Sequence, residues 1–161
     1  MNINPLIQPD DTACGPTCIQ MATDYFGMNL SFKEIAKISQ YKKKDGLSNP
    51  DLVETFEKLG LKATQKSNCK WSDLRRFLKS NKVVIVSWMK KGYLGHFSVV
   101  KDLGRDYIEI IDPEEGVVKM EKIIFLRLWL DYDDMWYPEK NTDIQLRWLC
   151  AVSPKNKIMR I

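Results

Sequence analysis

With 161 residues, 44% of them hydrophobic, the chain can bury a real core and is short for two domains, so one domain over 1–161 is expected. Its net charge of +4 comes from 25 basic and 21 acidic residues, a mild excess of the kind a solvated surface carries, and it does not call for nucleic acid. The densest basic run, Lys42-Lys43-Lys44, lacks interleaved aromatics and ends in the turn Asp45-Gly46, which reads as a solvated loop. No stretch approaches the roughly 20 apolar residues of a membrane helix. The N-terminus has neither the basic lead nor the apolar core of a signal peptide, so a cytoplasmic protein with reduced cysteines is expected. Cys14, Cys18, Cys69 and Cys150 form no Cys-x-x-Cys pair and have one histidine to help them, so neither a metal nor a cofactor is expected.

Along the chain, residues 8–13 form a loop that runs into a first helix. Gly15 and Pro16 limit side-chain bulk and fix one φ, and residues 19–26 carry apolar side chains at helical spacing before Gly27. Ser31 and Glu34 make a capping box for a second, short helix through Ile35 and Ile38. Asn49 reads as the cap of a third helix, with Pro50 at its first position, Leu52, Val53, Phe56 and Leu59 on one face, and Gly60 at its end. A short strand over 61–65 and a fourth helix capped by Ser72 follow.

From residue 83 the period changes. Residues 83–88 are an uninterrupted apolar run rich in β-branched side chains, as in a strand covered on both faces. Strands over 96–100, 107–111 and 117–120, separated by turn-like segments, suggest an antiparallel meander. A helix through Ile123 and Trp129, an acidic loop over 131–134, a last strand over 145–152 and a free tail over 154–161 complete the reading. Helices come first and sheet second, so the class is α+β.

The chemistry points to Cys14. A helix start carries unpaired N–H groups and a partial positive charge, which favour a thiolate and so a nucleophile. Such a nucleophile needs a base and a group to orient that base. His96, the one histidine, opens a strand after the small Gly95, and Asp112 closes the next strand before Pro113. Counting inward from the turn between those strands makes His96 and Asp112 cross-strand neighbours. Gln8, on the loop before Cys14, is a candidate oxyanion donor, although a loop glutamine can equally be just exposed. Cys18, one turn after Cys14, and Cys69 and Cys150 look structural. Trp88, Tyr93, Phe97 and Trp129 are available to narrow a groove between the helical and sheet halves, which would favour cleavage after small residues in a flexible peptide.

Taken together, Gln8…Cys14-Gly15, Gly46-Leu47…Leu59-Gly60-Leu61, Gly95-His96-Phe97-Ser98-Val99-Val100 and Ile111-Asp112-Pro113…Gly116 resemble the C39 family of papain-like cysteine peptidases over roughly residues 8–130. That family is best known as the leader-removing domains of bacteriocin exporters. The resemblance implies a papain-like fold, with the cysteine helix packed on an antiparallel sheet. It also implies Cys14 as nucleophile, His96 as base, Asp112 as its orienting carboxylate and Gln8 in the oxyanion hole. Exporter-linked members usually carry an acidic residue where this chain has Ala13, and they continue into membrane helices and an ATPase. Cys-Gly-Pro-Thr is also similar to the stand-alone C39-like group. A thiol hydrolase acting on a peptide or protein is therefore expected, with an exporter as a separately encoded partner. A docking module without turnover, and an acyltransferase or transpeptidase using the same residues, are the other readings.

Overall fold

The computed structural model describes residues 1–132 and 137–155. The expected acidic loop over 131–134 and the expected tail over 154–161 lie partly outside them. Helix α1 (Cys14–Tyr25) begins at Cys14, with Ala13 in the cap position and no side-chain cap. Asp10 orders the chain before it instead. Its Oδ1 accepts from the Thr12 N–H and hydroxyl, each at 3.1 Å, and from the Tyr41 hydroxyl at 2.5 Å.

Helix α2 (Phe32–Ile38) has the capping box expected of Ser31 and Glu34. The cap of α3 (Asn49–Lys58) is Ser48, one residue before the expected Asn49. Ser48 and Asp51 satisfy each other's backbone N–H groups, so Asn49 is freed from that task and is buried, donating to Gln145 Oε1. Helix α4 (Trp71–Lys79) likewise starts before Ser72, because the Asp73 carboxylate accepts from the Lys70 N–H at 2.8 Å.

The strands are β1 (Leu61–Lys66), β2 (Val83–Lys90), β3 (Leu94–Leu103), β4 (Tyr107–Asp112) and β5 (Gly116–Glu121). After α5 (Lys122–Leu128) come β6 (Leu130–Tyr132), β7 (Ile144–Leu146) and β8 (Leu149–Pro154). Six of them form one antiparallel sheet in the order β1-β8-β2-β3-β4-β5, and β6 pairs with β7 separately. The expected meander is present as β2 to β5. The strand expected over 145–152 is two strands, because Arg147 has a φ of 49° and turns its N–H to the Trp129 carbonyl at 3.0 Å. That break sends β8 between β1 and β2.

Burial of all eight residues of β2 explains its unbroken apolar run. Val83 and Ile85 face a cluster built by Ile19, Ile35, Leu52 and Phe56 of the first three helices. Val84, Val86 and Trp88 face Leu74, Phe125 and Trp129, from α4, α5 and its end. The sheet is thus a central layer with helices on both faces, and the N-terminus of α1 reaches the sheet at the end where β3 begins and β4 stops.

Candidate active site

Cys14 is the first residue of α1 and is half-exposed, whereas Cys18 on the next turn is buried. Gly15 has a packing reason to follow Cys14: a Cβ there would lie 3.0 Å from the Leu47 Cβ and 3.1 Å from its Cδ1. Leu47 therefore closes directly on the helix, and both Cys14 and Leu47 line one cleft together with His96.

His96 stands opposite Trp88 across β2 and β3, and their rings meet edge-on at 6.0 Å. The Trp88 indole N–H donates to Ser98 at 3.0 Å, which fixes that wall. The β3/β4 pairing differs from the simple inward count. Val99 pairs with Ile111, and a bulge lies between Val100 and Asp102, so continuing the register puts Ser98, not His96, opposite Asp112. His96 is the diagonal neighbour on the same face, and its ring spans the difference: Nε2 donates to Asp112 Oδ1 at 3.1 Å. The same ring shares the cleft with the Cys14 thiol and feels its charge. With Nε2 taken by Asp112, Nδ1 is the nitrogen left for the sulfur. The structure thus places Cys14 and His96 in one cleft, with Asp112 hydrogen-bonded to the far side of the ring.

Asp112 is 1% exposed and saturated. Besides His96, its Oδ1 accepts from the Glu114 N–H at 2.7 Å and the Glu115 N–H at 3.4 Å, and its Oδ2 pairs with the Lys90 ammonium at 3.0 Å. Burial alone would raise its pKa. The hydrogen bond and charge of His96, helped by Glu114 N–H and Lys90, overcome burial and hold it at about 2. Burial also opposes charging of His96, but the hydrogen bond to Asp112 and the charges of Cys14 and Asp112 lift it to about 9.

A stability consequence follows from Asp112. Its folded pKa lies below the ordinary 3.8, so its contribution is complete above that value and is lost as pH falls towards 2. The difference is worth about 2 kcal/mol. Thermal unfolding followed from pH 5 to pH 2 should show this loss in the native chain, and an Asp112→Asn variant should lack that part of the slope.

Gly95, expected to keep the approach to His96 open, instead accommodates a carboxylate. A Cβ at residue 95 would lie 2.8 Å from Asp131 Oδ1. Asp131 is held there by the Ser87 hydroxyl at 2.5 Å and lines the same cleft. Gly95→Ala must displace it, and because only the tip of the Asp131 side chain has to move, a loss of no more than about 1 kcal/mol in thermal or urea unfolding is expected. Of the four aromatics considered for narrowing the groove, only Phe97 lines this cleft. Trp88 and Trp129 are core, and Tyr93 is 65% exposed.

Gln8 is half-buried and does not line the cleft. Its backbone N–H donates to the Pro113 carbonyl at 2.7 Å, which ties the loop before Cys14 to the turn after Asp112. One N–H of its side-chain amide donates to the Asp10 carbonyl at 2.7 Å, and its Oε1 is buried without a partner. The remaining thiols are quiet. Burial pushes Cys18 well above the usual thiol range, and the nearby Cys14 and Asp112 add to it. Burial likewise raises Cys69 to about 11 and Cys150 to about 12.

Sequence reasoning missed Lys90, Ser87 and Asp131. Lys90 follows an apolar run and precedes Lys91, so by sequence it is an ordinary strand-end lysine; only the register, which sets it opposite Leu94 and near the Asp112 turn, marks it. Among the described residues no cluster of His, Cys, Asp and Glu is arranged to hold a metal ion, and no helix is long and apolar enough to cross a membrane.

Among solved structures, the chain is similar to the peptidase domain of Streptococcus ComA, a bi-functional ABC transporter involved in a quorum sensing pathway. The TM-score is 0.74 at 22% identity, covering 96% of this chain and 100% of that one. It is also similar to a double glycine motif protease from an AMS/PCAT transporter, solved in complex with the leader peptide. There the TM-score is 0.71 at 19% identity, covering 95% of this chain and 92% of that one. At such identities these likenesses speak for the fold. No curated protein matches the chain. The model of the Peptidase C39 family matches residues 2–133. The chain therefore belongs to the peptidase C39 family and is a cysteine peptidase.

Proposed function

We propose that this peptidase cleaves a flexible peptide segment through a papain-like triad of Cys14, His96 and Asp112. The observation that carries the reading is a half-exposed thiol in one cleft with a buried imidazole that is itself hydrogen-bonded to a buried carboxylate. Cys14 attacks the scissile carbonyl carbon as a thiolate while His96 carries the proton. The negative charge that develops on the carbonyl oxygen faces the N-terminus of α1, where the Cys14 N–H is available, and Gln8, on the loop that leads into that N-terminus, completes the donor pair once its amide turns from the Asp10 carbonyl into the cleft. His96 then protonates the departing amine, leaving a thioester on Cys14. Water attacks the thioester with His96 as base, which releases the acid and restores the thiol. Asp112 stays ionised throughout and keeps the ring turned towards the sulfur.

The substrate runs along the cleft between Leu47 on one side and Gly95 and Phe97 on the other, and the close approach of Leu47 to α1 supports small residues before the scissile bond. The complex of the transporter protease with a leader peptide supports a peptide substrate and a transporter as partner. Four unpaired cysteines support work in the reducing cytoplasm.

Profiling cleavage of a proteome-derived peptide library with the native chain and a Cys14→Ala control tests this reading. Cysteine-dependent cuts after glycine, alanine or serine in unstructured peptides are expected. Cuts confined to bonds after bulky or charged residues would rule out the narrow groove, and no cuts would favour a docking role. A Gln8→Ala variant should lose roughly 100-fold in kcat with KM little changed.

A further inference from the structure

Lys90 is 4% exposed and its ammonium touches three carboxylates: Asp112 Oδ2 at 3.0 Å, Glu114 Oε2 at 2.6 Å and Glu115 Oε1 at 3.2 Å. A buried cation needs an anion, and Asp112 alone would serve. Two further carboxylates are more than neutralisation requires. Both come from the dipeptide whose backbone N–H groups already hold Asp112 Oδ1. Lys90 also works against the triad in one respect, because a cation on the far oxygen of Asp112 weakens the pull of that carboxylate on a protonated His96. Glu114 and Glu115 sit where they cancel that opposing charge.

We propose that Lys90, Glu114 and Glu115 form a positioning device for the Asp112–His96 pair. Lys90 grips Oδ2 so that Oδ1 stays turned to His96, and the two glutamates neutralise Lys90 so that the ring keeps its proton. This rests on Cys14, His96 and Asp112 acting as the triad. None of the three touches the reacting atoms, so they act through Asp112. The charged and titratable groups around the ring are Asp112 with this cluster on one side and Cys14 on the other. Cys18, near Cys14 and Asp112, stays neutral, and Asp131 stands beside Gly95.

The chain has one histidine, so its ring C–H resonances titrate in NMR spectra without ambiguity. Exposed Glu114 and Glu115 can be replaced together by glutamine with little risk to folding. That double variant should move the His96 midpoint down by about half a pH unit or more. Lys90→Met should slow iodoacetamide labelling of Cys14 roughly tenfold at pH 7, and Lys90→Arg should restore most of the rate. A double-glutamine variant that titrates like the native chain, or a Lys90→Met protein labelled at the native rate with only its melting temperature lowered, overturns the proposal. If Lys90→Met does not fold, the double-glutamine titration decides alone. Cys14→Ala is the separate control: if it leaves the His96 midpoint where it was, the triad itself fails, whatever the Lys90 and glutamate variants do.

Discussion

A Cys14→Ala protein is expected to fold as the native chain does and to cleave no peptide, with a loss in kcat on the order of 10⁴-fold or more. The fold should be indifferent because Cys14 is half-exposed at a helix start and Ala is a good residue there, so removing the sulfur leaves no sealed cavity. Activity should vanish because no other thiol can take over. Cys18, Cys69 and Cys150 are buried, and burial keeps each of them in the unreactive thiol form at neutral pH. Peptide turnover and labelling by a thiol-directed peptide probe, read alongside the circular dichroism spectrum, check both halves. Residual cleavage above about one part in a thousand by a folded Cys14→Ala protein would assign the nucleophile elsewhere.

Asp112→Asn is expected to damage stability and chemistry together. The native carboxylate takes four donors at once: His96 Nε2, two backbone N–H groups and the Lys90 ammonium. An amide has one acceptor oxygen and adds two N–H groups of its own, so at least one buried donor loses its partner and Lys90 loses its buried counter-charge. A loss of about 3 kcal/mol in urea unfolding is expected, towards the lower end for breaking a buried pair because Glu114 and Glu115 still hold Lys90. In activity the loss of the carboxylate's hold on the imidazolium should cost about 10³–10⁴-fold in kcat, measured well below the melting temperature. A folded Asp112→Asn protein within tenfold of native kcat would mean that Asp112 is a structural carboxylate alone.

Much of this arrangement was legible in the sequence because it rests on local rules. Cys14 at a helix start follows from Gly15, Pro16 and the apolar spacing after them, and the capping box of α2 follows from Ser31 and Glu34. Strand β2 follows from its apolar run. What was hidden depends on register and on distant partners. The pairing of His96 with Asp112 was expected from a hairpin centred on Gly104, yet the turn closes with Leu103 opposite Ile108, and the bulge near Val100 then leaves Asp112 opposite Ser98, on the face of His96 but diagonal to it. The caps of α3 and α4 moved because Asp51 and Asp73 satisfy the N–H groups of Ser48 and Lys70. The break at Arg147 depends on the Trp129 carbonyl, 18 positions earlier, which no local pattern announces. Lys90 and Asp131 entered the site in the same way, through partners on other strands and turns.

The most direct measurement of the central claim is the pH dependence of Cys14 alkylation by iodoacetamide, mapped by mass spectrometry in the native chain and in His96→Ala. If His96 holds the sulfur as a thiolate–imidazolium pair, Cys14 is modified ahead of the other three cysteines at pH 6, and its rate stays nearly level down to that pH. In His96→Ala the rate at pH 6 should drop at least tenfold and climb with pH as that of an ordinary thiol does. Superimposable profiles for the two proteins, or earlier modification of Cys69 or Cys150, would show that Cys14 and His96 do not work as a pair.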